Sequence, residues 1–287
     1  MRAAALVLTV VLVSGCGASA HRATTTAHTS TTARSGLRIG LVGGLDVRVA
    51  GAVADPGTLA QVADDPLVIV RAGAISTAGL ASIAVAHPST HFALAGASAQ
   101  GLPLANVAGL VIRDDQVAFL AGAVAGLVAA DAGTPQARVA WIGSAATTTA
   151  AAFRRGVGET SRTAVVIDEP PGSTPASCKE AALGAVGQGV VAIVAPRGLC
   201  AEAAVEGAHE QNVIALRMSD FELVQTAAAQ IAHDAVAGIY HGGEDVVFGA
   251  KSGAIGIGYL DPRISSTTAV RARAAAQELA AGLPPKG

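Results

Sequence analysis

Residues 107–143 read VAGLVIRDDQVAFLAGAVAGLVAADAGTPQARVAWIG. The run VAGLVI (107–112) is aliphatic, too short for a helix, and suits a strand buried on both faces. DQVAFLAGAVAGLVAADA (115–132) is a helix pattern, and RVAWIG (138–143) is a second buried-strand run. Strand–helix alternation of this kind, repeated along a chain, implies right-handed crossovers and parallel sheets.

The alternation continues in both directions. RIGLVG (38–43), PLVIV (66–70) and HFALAG (91–96) precede this stretch; TAVVID (163–168), GVVAIVA (189–195) and NVIAL (212–216) follow it. Helix patterns fill 75–87, 147–159, 176–188 and 201–210. A longer one spans 220–242, ends at the turn His241-Gly242-Gly243 and leads to a last short strand; a terminal helix covers 267–282. Segment 44–65 accommodates an edge strand (47–54) and a short helix (57–64). For so many strands at this length, two sheets of four or five are expected rather than one. The late helix 220–242 reads as the chain returning to its first lobe.

Composition agrees with a buried α/β core. Of 287 residues, 51% are hydrophobic and only 14% charged, with 19 Lys+Arg against 21 Asp+Glu. That balance excludes a basic nucleic-acid binder and global disorder. Mean hydropathy is +0.50, yet no apolar run has the length of a membrane span.

The amino terminus carries a different message. Arg2 precedes the apolar run 3–13, of signal-peptide length, which ends in Val13-Ser14-Gly15-Cys16. An aliphatic residue, two small ones and a cysteine resemble a bacterial lipobox. The expectation is a lipoprotein signal peptide over 1–15, a lipid-bearing Cys16 and a Thr/Ser-rich tether over 16–36. His21 and His28 lie in that tether with nothing to fix a metal geometry. The protein is then anchored on the extracytoplasmic face of the cell membrane.

Ligands of open parallel sheets meet the carboxyl ends of the strands. Arg71, Arg113, Arg197 and Arg217 stand at such ends. Guanidinium forks suit carboxylate or phosphate, and helix starts near Ser144 and Gly198 add N–H donors. Two readings stay open. The arginines hold an anionic ligand, with Asp46 and Asp220 nearby, or they pair with Asp114, Asp115, Asp220 or Glu222 and tie the structure together. Phe92, Phe119 and Trp141 follow core periodicity; Phe153, Phe221 and Tyr259 are the remaining candidate cleft rings, each more often core.

No G-x-S-x-G elbow, H-E-x-x-H, P-loop or C-x-x-C occurs, so no enzyme, cofactor or metal site is expected. Pro88 separates His87 from His91 and removes their common helical face. His209, His233 and His241 read as solvated. With Cys16 lipidated, Cys178 and Cys200 remain. Both sit at helix starts flanking one strand, and export permits a disulfide between them; the alternative is two buried thiols.

Several stretches resemble a known family in order along the chain. These are His87-Pro88 with His91-Phe92-Ala93, Asn106-Val107 with the block 113–122, Val139 to Gly143 with Phe153-Arg154-Arg155-Gly156, and FGAKSGAIGI (248–257). Together with the lipobox they are similar to the basic-membrane-protein (Med-like) family of ABC-transporter solute-binding lipoproteins. The resemblance implies an α/β, type I periplasmic-binding-protein-like fold, with two Rossmann-like lobes, parallel sheets and a three-crossing hinge. Lobe 1 would be 37–112 plus 218–250 and lobe 2 would be 113–217 plus 251–287, with Lys251 at the third crossing as a further ligand candidate. It also implies a monomer that captures a small polar, nucleoside-like solute and hands it to an ABC permease, without nucleic acid. The alternative on the same fold is a ligand-sensing or interaction lipoprotein. Two departures are visible: residues 43–48 lack the family's Phe-Asn block, and Arg217 or Met218 stands where the family has an Asp.

Overall fold

The computed structural model describes residues 36–283 apart from Pro103, Leu199 and His241. The expected signal peptide, Cys16, the tether up to residue 35, His241 and residues 284–287 lie outside the described residues.

From its start the chain forms β1 (Leu37–Val42), β2 (Ala52–Pro56), α1 (Leu59–Val62), β3 (Leu67–Arg71), α2 (Thr77–Ala86), β4 (His91–Ala95) and β5 (Val107–Ile112). It continues through α3 (Asp114–Asp131), β6 (Arg138–Ile142), α4 (Thr148–Thr160), β7 (Val165–Glu169), α5 (Pro175–Gly187), β8 (Val190–Ala195), α6 (Cys200–Glu210) and β9 (Ile214–Arg217). A 3-10 turn at Met218–Phe221 leads to α7 (Val224–Val236) and β10 (Val246–Phe248). A second turn at Ala250–Ser252 precedes α8 (Ser266–Ala280).

The strands form two sheets, ordered β10-β5-β4-β3-β1-β2 and β7-β6-β8-β9, and every strand pair is parallel. Side chains alternate between the faces, as the pleat requires. In the first sheet Ile39, Leu67, Ile69 and Leu110 share a core with Ala227, Ala228 and Ile231 of α7. Val42, Val68, Val70 and Phe92 pack with Leu59 and Val62 of α1 and Leu80 of α2. In the second sheet Val139, Trp141, Val194 and Leu216 join the core of α3 and α4. Ala140, Ile142 and Ile193 meet Ala182 and Ala204 of α5 and α6.

Small residues set the spacing of α3 and α4. A Cβ on Gly122 would lie 2.1 Å from the Phe153 carbonyl oxygen, and one on Gly156 2.0 Å from that of Phe119. The backbones touch because nothing stands between them.

Four expectations need correction. Among the described residues the second sheet has four strands, as expected, but the first has six rather than four or five, because the short β2 and β10 extend both its edges. The edge strand lies at 52–56 rather than 47–54. Residues 43–51 contain no helix, and Leu45 and Val47 turn into the core instead. The helix expected over 220–242 is shorter. The Asp220 carboxylate accepts the Arg217 N–H at 2.8 Å and closes the 3-10 turn. The Leu223 N–H then donates to the Ala254 carbonyl at 2.8 Å while the extended Glu222 bridges Ile255, so neither residue is helical and α7 begins only at Val224. Finally, His209 is not simply solvated, since its Nε2 lies 3.2 Å from the Asp261 carboxylate.

Cys178 in α5 and Cys200 at the start of α6 form a disulfide, with their Cα atoms 5.0 Å apart. No helix among the described residues is long and apolar enough to cross a membrane.

Candidate functional site

Three strands of the second sheet deliver their carboxyl ends to one place. After β6 the chain turns through Gly143 and Ser144 into α4. After β8 come Pro196 and Arg197, and after β9 comes Met218. α3 begins beside them at Asp114. Of these, Ser144, Pro196, Arg197, Met218 and Asp114, with Trp141, Thr147 and Thr149, line a cavity of about 180 Å³.

The local geometry follows from the sequence. Thr147 is extended (ψ 154°), and its hydroxyl accepts the Ala150 N–H at 3.0 Å, capping α4. No acid occupies the first turn of α4, so the partial positive charge of its N-terminus is not compensated within the helix. The Ser144 and Thr149 hydroxyls have no hydrogen-bond partner among the described residues.

Trp141 forms the inner wall. It is 1% exposed and tilts against Phe153, with ring centroids 5.1 Å apart. Its indole Nε1–H is buried without an acceptor among the described residues. Such a group costs about 1–3 kcal/mol when it goes unpaired. The nitrogen lies over Gly143, where a Cβ would stand 2.6 Å from it and 3.2 Å from Pro196. Only glycine leaves room there.

The cations around the cavity are already engaged. Arg197 holds Asp114 at 2.7 Å and donates through Nε to Glu222. Arg217 grips Glu202 at 3.0 Å and Asp220 at 3.1 Å, and its guanidinium lies 5.9 Å from the Tyr259 ring centroid. Burial raises the pKa of both Asp220 and Glu222, and the paired arginines offset this only in part. Arg113 forks onto Asp115 at 3.0 and 2.6 Å, and that hydrogen bonding holds the Asp115 carboxyl below the usual range.

The structure thus brings Ser144 and Arg197 together in one cavity. Arg113 and Lys251 line a different and larger one. Asp46, Arg71, Arg217 and Asp220 line neither. Asp46 pairs with its neighbour Arg48 at 3.1 Å, and its N–H donates to the Gln225 side chain of α7. Arg71 is exposed at the end of β3 and makes no ion pair among the described residues. Phe153 and Phe221 are fully buried in the core, while Tyr259 is 48% exposed. Trp141, Thr147, Thr149 and Met218 were not among the ligand candidates read from the sequence, although Met218 was noted where the family has an Asp. Trp141 has strand alternation and reads as core, which it also is. The threonines carried a usable signal, because they open a helix directly after a strand end.

No family model matches the chain, and no curated protein matches it. Solved structures do. An ABC transporter system solute-binding protein from Conexibacter woesei aligns over 87% of this chain and 99% of its own, at 17% identity and a TM-score of 0.59. A transcriptional activator of the comK gene from Bacillus halodurans aligns over 87% of this chain and 100% of its own, at 13% identity and the same TM-score. At these identities the likeness is one of fold. The chain has a two-lobed α/β fold with parallel sheets, of the type I periplasmic-binding-protein kind.

Proposed function

We propose that this chain is an extracytoplasmic solute-binding lipoprotein of an ABC importer, of the basic-membrane-protein kind, that takes a small polar solute at the carboxyl ends of its sheets. The observation that carries this reading is the indole N–H of Trp141, buried without an acceptor among the described residues, on a side chain that lines a strand-end cavity. With the Ser144 and Thr149 hydroxyls and the start of α4, it makes that cavity rich in donors. A ligand oxygen bearing negative charge, such as a carboxylate, satisfies them. Ser144 and Arg197 meet it directly. Arg71 and Asp46 stand outside this cavity, after strands of the first sheet, while paired Arg217 and Asp220 hold the turn that presents Met218. In this reading the chain passes between lobes near 112–113, 217–218 and 250–251. Lipid on Cys16 keeps it at the membrane beside its permease, and Cys16→Ser releases it from the membrane fraction.

The test is a thermal-shift panel of nucleosides, nucleotides, sugars and small acids, followed by calorimetry. A ligand at about a hundred times its Kd stabilises the fold by about 2.7 kcal/mol. Trp141→Phe, which keeps an aromatic ring but removes the donor, should weaken binding of the best acid by about tenfold or more. Tight binding of an uncharged nucleoside, indifferent to Trp141→Phe and Arg197→Ala, would overturn the anionic reading. A second reading, a sensing or interaction lipoprotein without a transport role, is favoured by one observation: Arg113, Arg197 and Arg217 already spend their charge on the chain's own carboxylates. A panel without any hit favours it.

A further inference from the structure

The larger cavity, about 690 Å³, shares no lining residue with the strand-end site, although its Arg113 and Asp115 flank Asp114 of that site, and it has the volume of an ordinary small-molecule pocket. Its walls come from distant parts of the chain: the first two turns of α3, Arg155 of α4, the outer edge strand β10, the Ala250–Ser252 turn and the end of α8. Gln116 ties two of these together, its Oε1 accepting the Ala250 N–H at 2.7 Å. The Arg113 N–H ties a third, donating to the Phe248 carbonyl at 2.9 Å.

The lining divides by chemistry. Arg113 is neutralised by Asp115. Arg155 and Lys251 are exposed and make no ion pair among the described residues, which leaves an excess of two positive charges on the wall. Gln116 adds a polar side chain, already engaged by the Ala250 N–H, and the large apolar side chains are Phe119 and Leu279, half-buried, with Val247 and Leu283, 63% and 57% exposed. Large aliphatic side chains beside unpaired cations fit a ligand that has both an apolar body and an anionic head.

We propose that this cavity is a second ligand site, separate from the strand-end site, that takes an amphipathic carboxylate. The Arg155 fork and the Lys251 ammonium hold the carboxylate, since a guanidinium matches its planar oxygens and an ammonium adds a point charge. Phe119, Val247, Leu279 and Leu283 cover the alkyl or aryl body, whose transfer from water supplies the rest of the affinity.

The experiment is calorimetric titration of octanoate, with octanamide as the uncharged comparator, into the full chain carrying Cys16→Ser so that no detergent is needed. Octanoate should bind saturably at one site, with octanamide about tenfold weaker or worse. The double variant Arg155→Ala/Lys251→Ala, and separately Val247→Asp, should each lose about tenfold or more while melting as the parent does. These side chains are exposed, so their loss leaves the core intact. Arg197→Ala should bind octanoate as the parent does. Absence of saturable octanoate binding overturns the proposal, as does equal affinity in the double variant. Loss of binding in Arg197→Ala would move the carboxylate to the strand-end cavity and equally defeat it. So would a need to delete residues 284–287 before octanoate binds, which would give the cavity to the chain's own end.

Discussion

Asp261 is 1% exposed and serves as an anchor for the chain after its last sheet strand. Its carboxylate accepts the Ala215 N–H at 3.1 Å, the Arg263 N–H at 3.0 Å and the Arg263 Nε at 2.8 Å, and it meets His209. Burial alone would raise its pKa. The donors of Arg263 and Ala215 outweigh that and hold the carboxyl well below the usual range. A carboxyl depressed in the folded state stabilises the fold above its unfolded pKa, about 3.9, and that stability is lost as pH falls below this toward the folded value. Asp261→Asn should therefore cost about 1.5–3 kcal/mol at neutral pH, the worth of hydrogen bonds to a charged group, because Arg263 is itself partly exposed. The gap to the parent should narrow below about pH 4. Urea unfolding at a series of pH values checks both parts; a gap independent of pH would deny the carboxylate its role.

Among elements, the α3–α4 seam and the α5–α6 pair are held in opposite ways. The seam depends on absent side chains. Gly156→Ala would drive a methyl to within 2.0 Å of a backbone oxygen, and overpacking of this kind costs about 1–3 kcal/mol or more. Gly158 lies two residues on in the same helix, and a Cβ there meets nothing within 4 Å. Gly158→Ala should instead stabilise by about 0.5–1 kcal/mol, the helix-propensity gain alone. Opposite signs from one helix are the expected result of chemical denaturation. The α5–α6 pair depends on a covalent link across a sequence separation of 22. Replacing both cysteines by alanine should cost about 3 kcal/mol, and alkylation of the non-reduced exported protein should find both thiols blocked.

For the whole molecule the governing fact is a single core that reaches both sheets. Ile39 and Leu110 of the first sheet and Val139 and Leu216 of the second belong to it, together with residues of α3, α4, α7 and α8. Neither sheet has a separate core on that side. The two halves should consequently unfold together. Trp141 is the one tryptophan, so its fluorescence reports the second sheet while far-ultraviolet circular dichroism reports all of it. The two probes should give coincident urea transitions. A fluorescence midpoint displaced from the dichroism midpoint would show independent halves.

The fold class was legible in the residues themselves. Runs such as PLVIV at 66–70 and RVAWIG at 138–143 are buried strands wherever they lie, because short aliphatic runs must be covered on both faces. The cysteine pair was legible too, from two helix starts flanking one strand. Other features depended on contacts that no local pattern encodes. β10 has three residues and β2 alternates weakly, so the six-strand width of the first sheet exists only through pairing with β5 and β1. Helix α7 is short because residues 222 and 223 pair with 254 and 255, a distant segment that outcompetes helix propensity. The strand-end arginines were visible as cations, but their partners were decided by folding: Arg197 reaches both Asp114 and Glu222. Trp141 is the clearest case. Alternation along β6 places its ring in the core, and only the meeting of Gly143, Pro196 and the start of α4 turns the same indole into a cavity wall. Local sequence sets which face of an element is buried; the register between distant elements sets which polar groups meet, and a binding site is made of those meetings.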